Sequence, residues 1–168
     1  MISKKAIWFL AGVSLVLLTS SAVIAGNEEL YGTWRLVSYT RTFLATGETS
    51  DLMGKSPRGF INYGRDGRVL VLIVSDKRPK PSDPAKITDQ ERVELHKTMT
   101  AYGGTYTYDG KTVTHHVDIS WNEYWTGTDA VRDVKFDGNK LILTTRPSPT
   151  MIQDGKPITS TLTWERVQ

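Results

Sequence analysis

Four Asp-Gly pairs, Asp66-Gly67, Asp109-Gly110, Asp137-Gly138 and Asp154-Gly155, punctuate the chain. Glycine reaches positive φ without steric cost and Asp tolerates it, so Asp-Gly between alternating segments signals a hairpin. The flanking segments are rich in Val, Ile, Thr, Tyr and Trp and predict strands at about 32–43, 57–63, 67–74, 102–108, 111–121, 130–136, 139–145 and 156–165. Tight turns at 64–67, 109–110 and 137–138 then share one end of the sheet. The long connections 44–56, 75–101, 122–129 and 146–155 share the other. This asymmetry predicts an all-β fold: an eight-stranded antiparallel up-and-down barrel, pinched at one end and looped at the other, with no exposed strand edge. Thr88 and Glu91 form a capping box ahead of a stretch free of Gly and Pro, Glu91 to Thr100, which places one short helix between strands 3 and 4.

Strand parity assigns the faces. Val113, His115, Val117, Ile119 and Trp121 alternate with Thr112, Thr114, His116, Asp118 and Ser120; Ile158, Ser160, Leu162 and Trp164 alternate with Thr159, Thr161, Thr163 and Glu165. Such alternation means one buried face and one wet face. With each Asp-Gly pair as a pairing centre, Tyr106 falls opposite Val113, Gly104 opposite His115 and Leu143 opposite Arg132. A small outer-membrane barrel shares the strand count and loop asymmetry, but its outer face must be apolar. Here Asp118, Asp133, Lys135 and Glu165 take outward positions, which favours an apolar interior and a wet exterior.

Residues 1–25 read as a signal peptide. Lys4 and Lys5 precede an uncharged run from Ala6 to Leu18, and Val23-Ile24-Ala25 offers a scission site. An uncleaved anchor is the alternative, because Ala6 to Ala25 approaches the ~20 residues that span a bilayer. Cleavage would leave a domain of residues 26–168 with no membrane span. Lys4 and Lys5 belong to the leader, so that domain keeps 19 of the 21 basic residues against 18 acidic ones. Its near-neutrality gives no reason to expect nucleic acid as a partner. The chain has no Cys, which excludes disulfides, thiolate metal sites, a cysteine nucleophile and a lipoprotein anchor. The expected location is periplasmic or secreted.

Gly32-Thr33-Trp34 near the start of the barrel, Gly59-Phe60-Ile61-Asn62-Tyr63, Tyr102-Gly103-Gly104-Thr105-Tyr106, His115-His116-Val117 and Leu162-Thr163-Trp164-Glu165-Arg166 together resemble the lipocalin-like domain family, within the calycins. The resemblance spans nearly all of residues 30–168. It implies that Trp34 closes the barrel floor with a basic residue of the last strand packed on it, Arg166 being the candidate and Trp164 its neighbour. A cation over an indole face contributes ~0.5–2 kcal/mol.

The candidate ligand-binding residues are Tyr106, His115, Val117, Ile119, Trp121, Trp125, Arg132 and Leu143. His115 and His116 are adjacent in a strand and point to opposite faces, and His96 sits on the helix, so no metal site and no other cofactor is expected. His115 reads either as a ligand contact or as a neutral core histidine bonded to a tyrosine. Arg132 shares the inner face with Ala130, Val134 and Phe136, where a guanidinium needs an acceptor. Three remain open: a loop carboxylate such as Glu123 or Asp129, solvent reached by snorkelling, or an acidic ligand. Trp121, Tyr124 and Trp125 cluster at the mouth and suit capture of an apolar molecule. In this reading Arg132 lies nearer the mouth than His115.

Phosphate loops, nucleophile elbows and His-Glu-x-x-His helices are absent from the sequence. Two readings follow. In the first, an exported barrel binds a small hydrophobic or amphipathic molecule, one with an anionic head being favoured by Arg132. In the second, an isomerase or cyclase uses the same cavity, with His115 as acid or base and Tyr106 as its partner. For the leader the expectation is direct: exported protein begins at Gly26 or within a few residues of it on N-terminal sequencing, whereas Met1 on membrane-bound protein would establish an anchor.

Overall fold

The computed structural model describes residues 28–147, 152–153 and 155–167. The proposed leader and Asp154 lie outside them. Ten strands form in chain order: β1 (Gly32–Phe43), β2 (Thr49–Asp51), β3 (Arg58–Tyr63), β4 (Arg68–Val74), β5 (Met99–Tyr108), β6 (Thr112–Ser120), β7 (Asp129–Asp137), β8 (Lys140–Thr145), β9 (Ile152–Gln153) and β10 (Lys156–Arg166). Neighbours pair in the order β1-β3-β4-β5-β6-β7-β8-β10, and β10 returns to β1 along Trp34↔Arg166 to Phe43↔Ile158. That pairing closes an eight-stranded antiparallel barrel; β2 and β9 are short additions at its rim. One helix, α1 (Asp89–Lys97), lies between β4 and β5, one strand later in the count than expected only because β2 precedes it. Its capping box forms: Glu91 N–H donates to Thr88 Oγ1 at 3.2 Å and Thr88 N–H to Glu91 Oε2 at 2.8 Å. No helix of the described residues is long and apolar enough to cross a membrane.

Two register expectations are corrected. Tyr106 pairs with His115 and Gly104 with Val117; Leu143 pairs with Val134, and Arg132 with Thr145. The cause is turn chemistry. The Asp109 carboxylate accepts N–H bonds from Lys111 at 2.9 Å and Thr112 at 2.6 Å, so the loop wraps around the Asp instead of centring on Asp-Gly. In the β7–β8 turn Gly138 takes φ +60 and the loop is Gly138-Asn139, because Asp137 still pairs with Lys140. Each slip is two residues, so the faces survive.

A bulge changes one face. Gly103 pairs with Ile119 but Gly104 pairs with Val117, leaving Asp118 as the extra residue. Ile119 therefore points outward, 67% exposed, and not into the barrel. It joins Phe60, Leu70 and Leu72 among exposed apolar residues on the outer face of β3 to β6. Gly104 is required by the same bulge: a Cβ there would sit 1.9 Å from the His116 carbonyl oxygen.

The pinched end is sealed from the first strand. Trp34 is 1% exposed, donates from its indole N–H to the Leu30 carbonyl at 2.8 Å and packs beneath the Arg166 guanidinium, 4.1 Å from the ring centroid. Arg166 donates to the Tyr31 carbonyl at 2.7 Å and also to that of Glu29. Trp164, Leu141 and Ile61 complete this buried layer. Trp34→Ala removes the ring that all of these contacts enclose, with an expected loss of ~3–5 kcal/mol in chemical unfolding. A loss below ~1 kcal/mol would mean that the floor does not depend on Trp34.

Candidate functional site

Above the floor, the inward positions turn polar. Tyr63 from β3, Tyr102 and Tyr106 from β5, His115 from β6 and Arg132 from β7 are all buried. His115 is at their centre and wholly inaccessible. The Tyr102 hydroxyl lies 2.8 Å from its Nδ1 and the Tyr63 hydroxyl 2.8 Å from its Nε2. Arg132 Nη1 approaches Nδ1 at 3.3 Å while donating to the Ala130 carbonyl at 2.9 Å, and its guanidinium lies 5.8 Å from the centre of the Tyr102 ring.

This geometry assigns the imidazole proton. A guanidinium only donates, so Nδ1 must carry the lone pair and the hydrogen sits on Nε2, donated to the Tyr63 oxygen. Burial, reinforced by the Arg132 charge, pushes the His115 pKa well below its ordinary value, so the ring is neutral. Burial likewise raises the phenols of Tyr39, Tyr63 and Tyr102, and lifts Tyr106 to about 12. All four are protonated at neutral pH. The one full charge in the cluster is Arg132.

Among the described residues it has no counter-ion. Arg132 is 8% exposed, which excludes snorkelling. Asp129 instead receives His116 Nδ1 at 2.7 Å on the outer face, and Glu123 accepts the Thr126 hydroxyl at 3.2 Å. Among the described residues no carboxylate pairs with Arg132. The Tyr63 hydroxyl proton also has no acceptor there, its oxygen being used by His115. What the cluster leaves over is donors.

Rings lead from this cluster to the mouth. Tyr102 meets Trp125 edge-on at 6.0 Å, Trp125 meets Trp121 at 4.9 Å, and Trp121 donates to the His96 carbonyl of α1 at 3.3 Å. Both indoles are partly buried, while Tyr124 is 72% exposed and stands outside the row. Val117 and Leu143 are buried inner-wall residues. Ile119 is not part of the wall. Tyr106 bonds the Gly64 carbonyl at 3.1 Å and touches the Tyr63 ring, so it is no hydrogen-bond partner of His115.

The expected depth order is also corrected. His115 pairs with Ala130, one step nearer the mouth than the Val113↔Arg132 pair, and the guanidinium folds back to the His115 level. Head and imidazole form one cluster instead of two stations. Sequence reasoning missed Tyr63, Tyr102, Tyr39 and Ser160. Tyr63 and Tyr102 shared parity with Ile61 and Tyr106, a signal that was present; Tyr39 faces inward only because a register shift between Leu36 and Ser38 flips β1.

The pH consequence follows from the depressed His115 pKa. Its contribution is complete above the unfolded-state value of ~6.5 and is lost as pH falls from there toward the folded value, because the unfolded chain then binds the extra proton. Between pH 6.5 and 5 wild type should lose up to ~2 kcal/mol more than His115→Gln in urea unfolding. Parallel stability curves would mean that His115 titrates normally.

A family model described as a lipocalin-like domain matches residues 31–167. No curated protein matches the chain. A similar solved structure is that of a lipocalin-like protein from Bacteroides uniformis ATCC 8492, with a TM-score of 0.44 and 14% identity over 83% of this chain and 99% of that one. Closed barrel and family match agree: this chain belongs to the lipocalin-like domain family, whose fold is generally associated with small-molecule binding.

Proposed function

We propose that the chain is an exported protein, cleaved near Ala25, whose barrel takes up a small amphipathic molecule with an anionic head. The observation that carries this reading is the buried Arg132 guanidinium, which no carboxylate among the described residues pairs. A buried charge without a partner costs several kcal/mol, and an acidic head would offset that cost. Tyr63, whose hydroxyl proton has no acceptor among the described residues, adds a further donor on the other side of His115. Trp121 and Trp125 supply the apolar path from the mouth. The isomerase or cyclase alternative finds less support: tyrosine hydroxyls occupy both His115 nitrogens, which leaves neither free to act as the base.

Displacement of a fluorescent apolar probe by dodecanoic acid and by dodecanol tests the reading. Wild type should prefer the acid, and Arg132→Met should lose roughly 10–150-fold in acid affinity with little change for the alcohol, the worth of one desolvated charge-assisted bond. Equal affinity of wild type for acid and alcohol would remove Arg132 from the site.

A further inference from the structure

The outer wall of the barrel carries an apolar face that ligand uptake does not use. Phe60 on β3, Leu70 and Leu72 on β4 and Ile119 on β6 stand outward with 51, 66, 49 and 67% of their surface exposed. The register makes them neighbours: Phe60 pairs with Leu72, Leu70 with Gly103, and Gly103 with Ile119. Gly103 has no side chain to separate them, and a Cβ there would meet Leu70 Cδ2 at 3.3 Å and Ile119 Cγ2 at 3.6 Å. The two side chains close over this glycine, which is buried beneath them. Val37, 42% exposed, extends the row across a groove that Pro57, Arg58 and Phe60 also line. On β7, by contrast, Asp129, Asp133 and Lys135 face the water.

Those five side chains leave roughly 500 Å² of apolar surface in water, near the upper end of what a monomer exposes in one patch. A standard interface buries about 800 Å² on each partner, of which about 56–65% is apolar. The patch supplies that apolar share, and the exposed Arg35, Asn62, Arg68 and Thr105 around it supply a polar rim. Charge then selects the partner. A surface that meets its own copy sets rim charges against their like unless the rim is balanced. Here Arg35 is paired with Glu165 at 2.6 Å beside Phe60, and Arg68 with Asp118 at 3.0 Å beside Ile119. Arg58, at the edge of the groove, is the rim arginine with no carboxylate among the described residues. An anionic bilayer would call instead for several unpaired cations around the apolar face.

We infer that the outer face of β3 to β6 is the interface of a homodimer, in which two copies of this chain pack sheet on sheet about a two-fold axis. Sheets that pack face to face lie ~10 Å apart with their side chains interdigitated, a gap that Phe60, Leu70, Leu72 and Ile119 from each copy fill. The strands so braced, β3, β5 and β6, carry Tyr63, Tyr102 and His115 on their inner side. The inference is independent of what the barrel binds.

Sedimentation equilibrium of the exported protein at about 200 μM, above the micromolar dissociation constants of the weaker interfaces of this size, tests it. Wild type should show twice the mass of one chain at about 50 and about 500 mM NaCl alike, because an apolar contact with a paired rim owes little to unscreened charge. Leu70→Arg and Ile119→Lys each put a charge in the contact and should return the single-chain mass. Both positions face water in one copy, so far-UV circular dichroism should stay unchanged; if one variant fails to fold, the other carries the test. Tyr124→Ser, at a site 72% exposed but at the mouth, should remain dimeric. A wild type of single-chain mass overturns the inference, and its co-sedimentation with phosphatidylcholine vesicles would assign the patch to a bilayer instead. A dimer that survives both charged variants also overturns it, because the contact then lies on another face. So does a dimer that dissociates at the higher salt, because charge then holds it.

Discussion

A guanidinium in the wall of an apolar barrel is costly unless its protons are taken, and the arrangement around Arg132 answers that constraint in part. One N–H goes to the Ala130 carbonyl, one to His115 Nδ1, and the positive face rests near the Tyr102 ring. None of these acceptors carries charge. The cluster is a solvation shell built from neutral dipoles, which lowers the cost of the cation without cancelling it. His115 has to remain neutral for that shell to exist, since an imidazolium beside Arg132 would repel it. Burial and the arginine itself enforce this. The neutral tautomer in turn fixes Tyr63 as acceptor and leaves its proton free.

Two arginines, Arg132 buried and Arg166 half-buried, serve the molecule in different ways. Arg166 spends its protons on the backbone carbonyls of Glu29 and Tyr31 and its face on Trp34, which closes the floor, although the buried Trp164 indole N–H has no partner among the described residues. Arg132 has comparable burial partners on one side only. The apolar layer formed by Trp34, Trp164, Leu141 and Ile61 supplies packing beneath the polar layer around Arg132. Surface pairs such as Arg35–Glu165 and Arg146–Asp133 are exposed and contribute little to this balance.

Much of the barrel was legible because period-2 alternation survives an error of two. Placing Tyr106 opposite Val113 instead of His115 left every face unchanged. The turn geometry that caused the slip depends on whether the Asp109 carboxylate wraps its own loop, a choice local composition does not settle. Bulges are a different matter. The extra residue at Asp118 turned Ile119 outward, and the shift after Leu36 turned Tyr39 inward; neither leaves a trace in alternation. Within the site, the inward position of His115 and Arg132 could be read from parity. Their tyrosine partners shared that inward parity, but the contact of Tyr63 with His115, 52 residues away and across β4 and β5, depends on the curvature of the sheet, which alternation does not give.

The central claim is that burial and the Arg132 charge hold His115 as a neutral ring with its proton on Nε2, leaving a cluster of unspent donors. Long-range 15N–1H correlation of the His115 ring measures this directly. Between pH 5.5 and 8 the account predicts one protonated nitrogen, Nε2, and one bare nitrogen, Nδ1, with shifts that do not titrate. A proton on Nδ1, or conversion to imidazolium within that range, would contradict it.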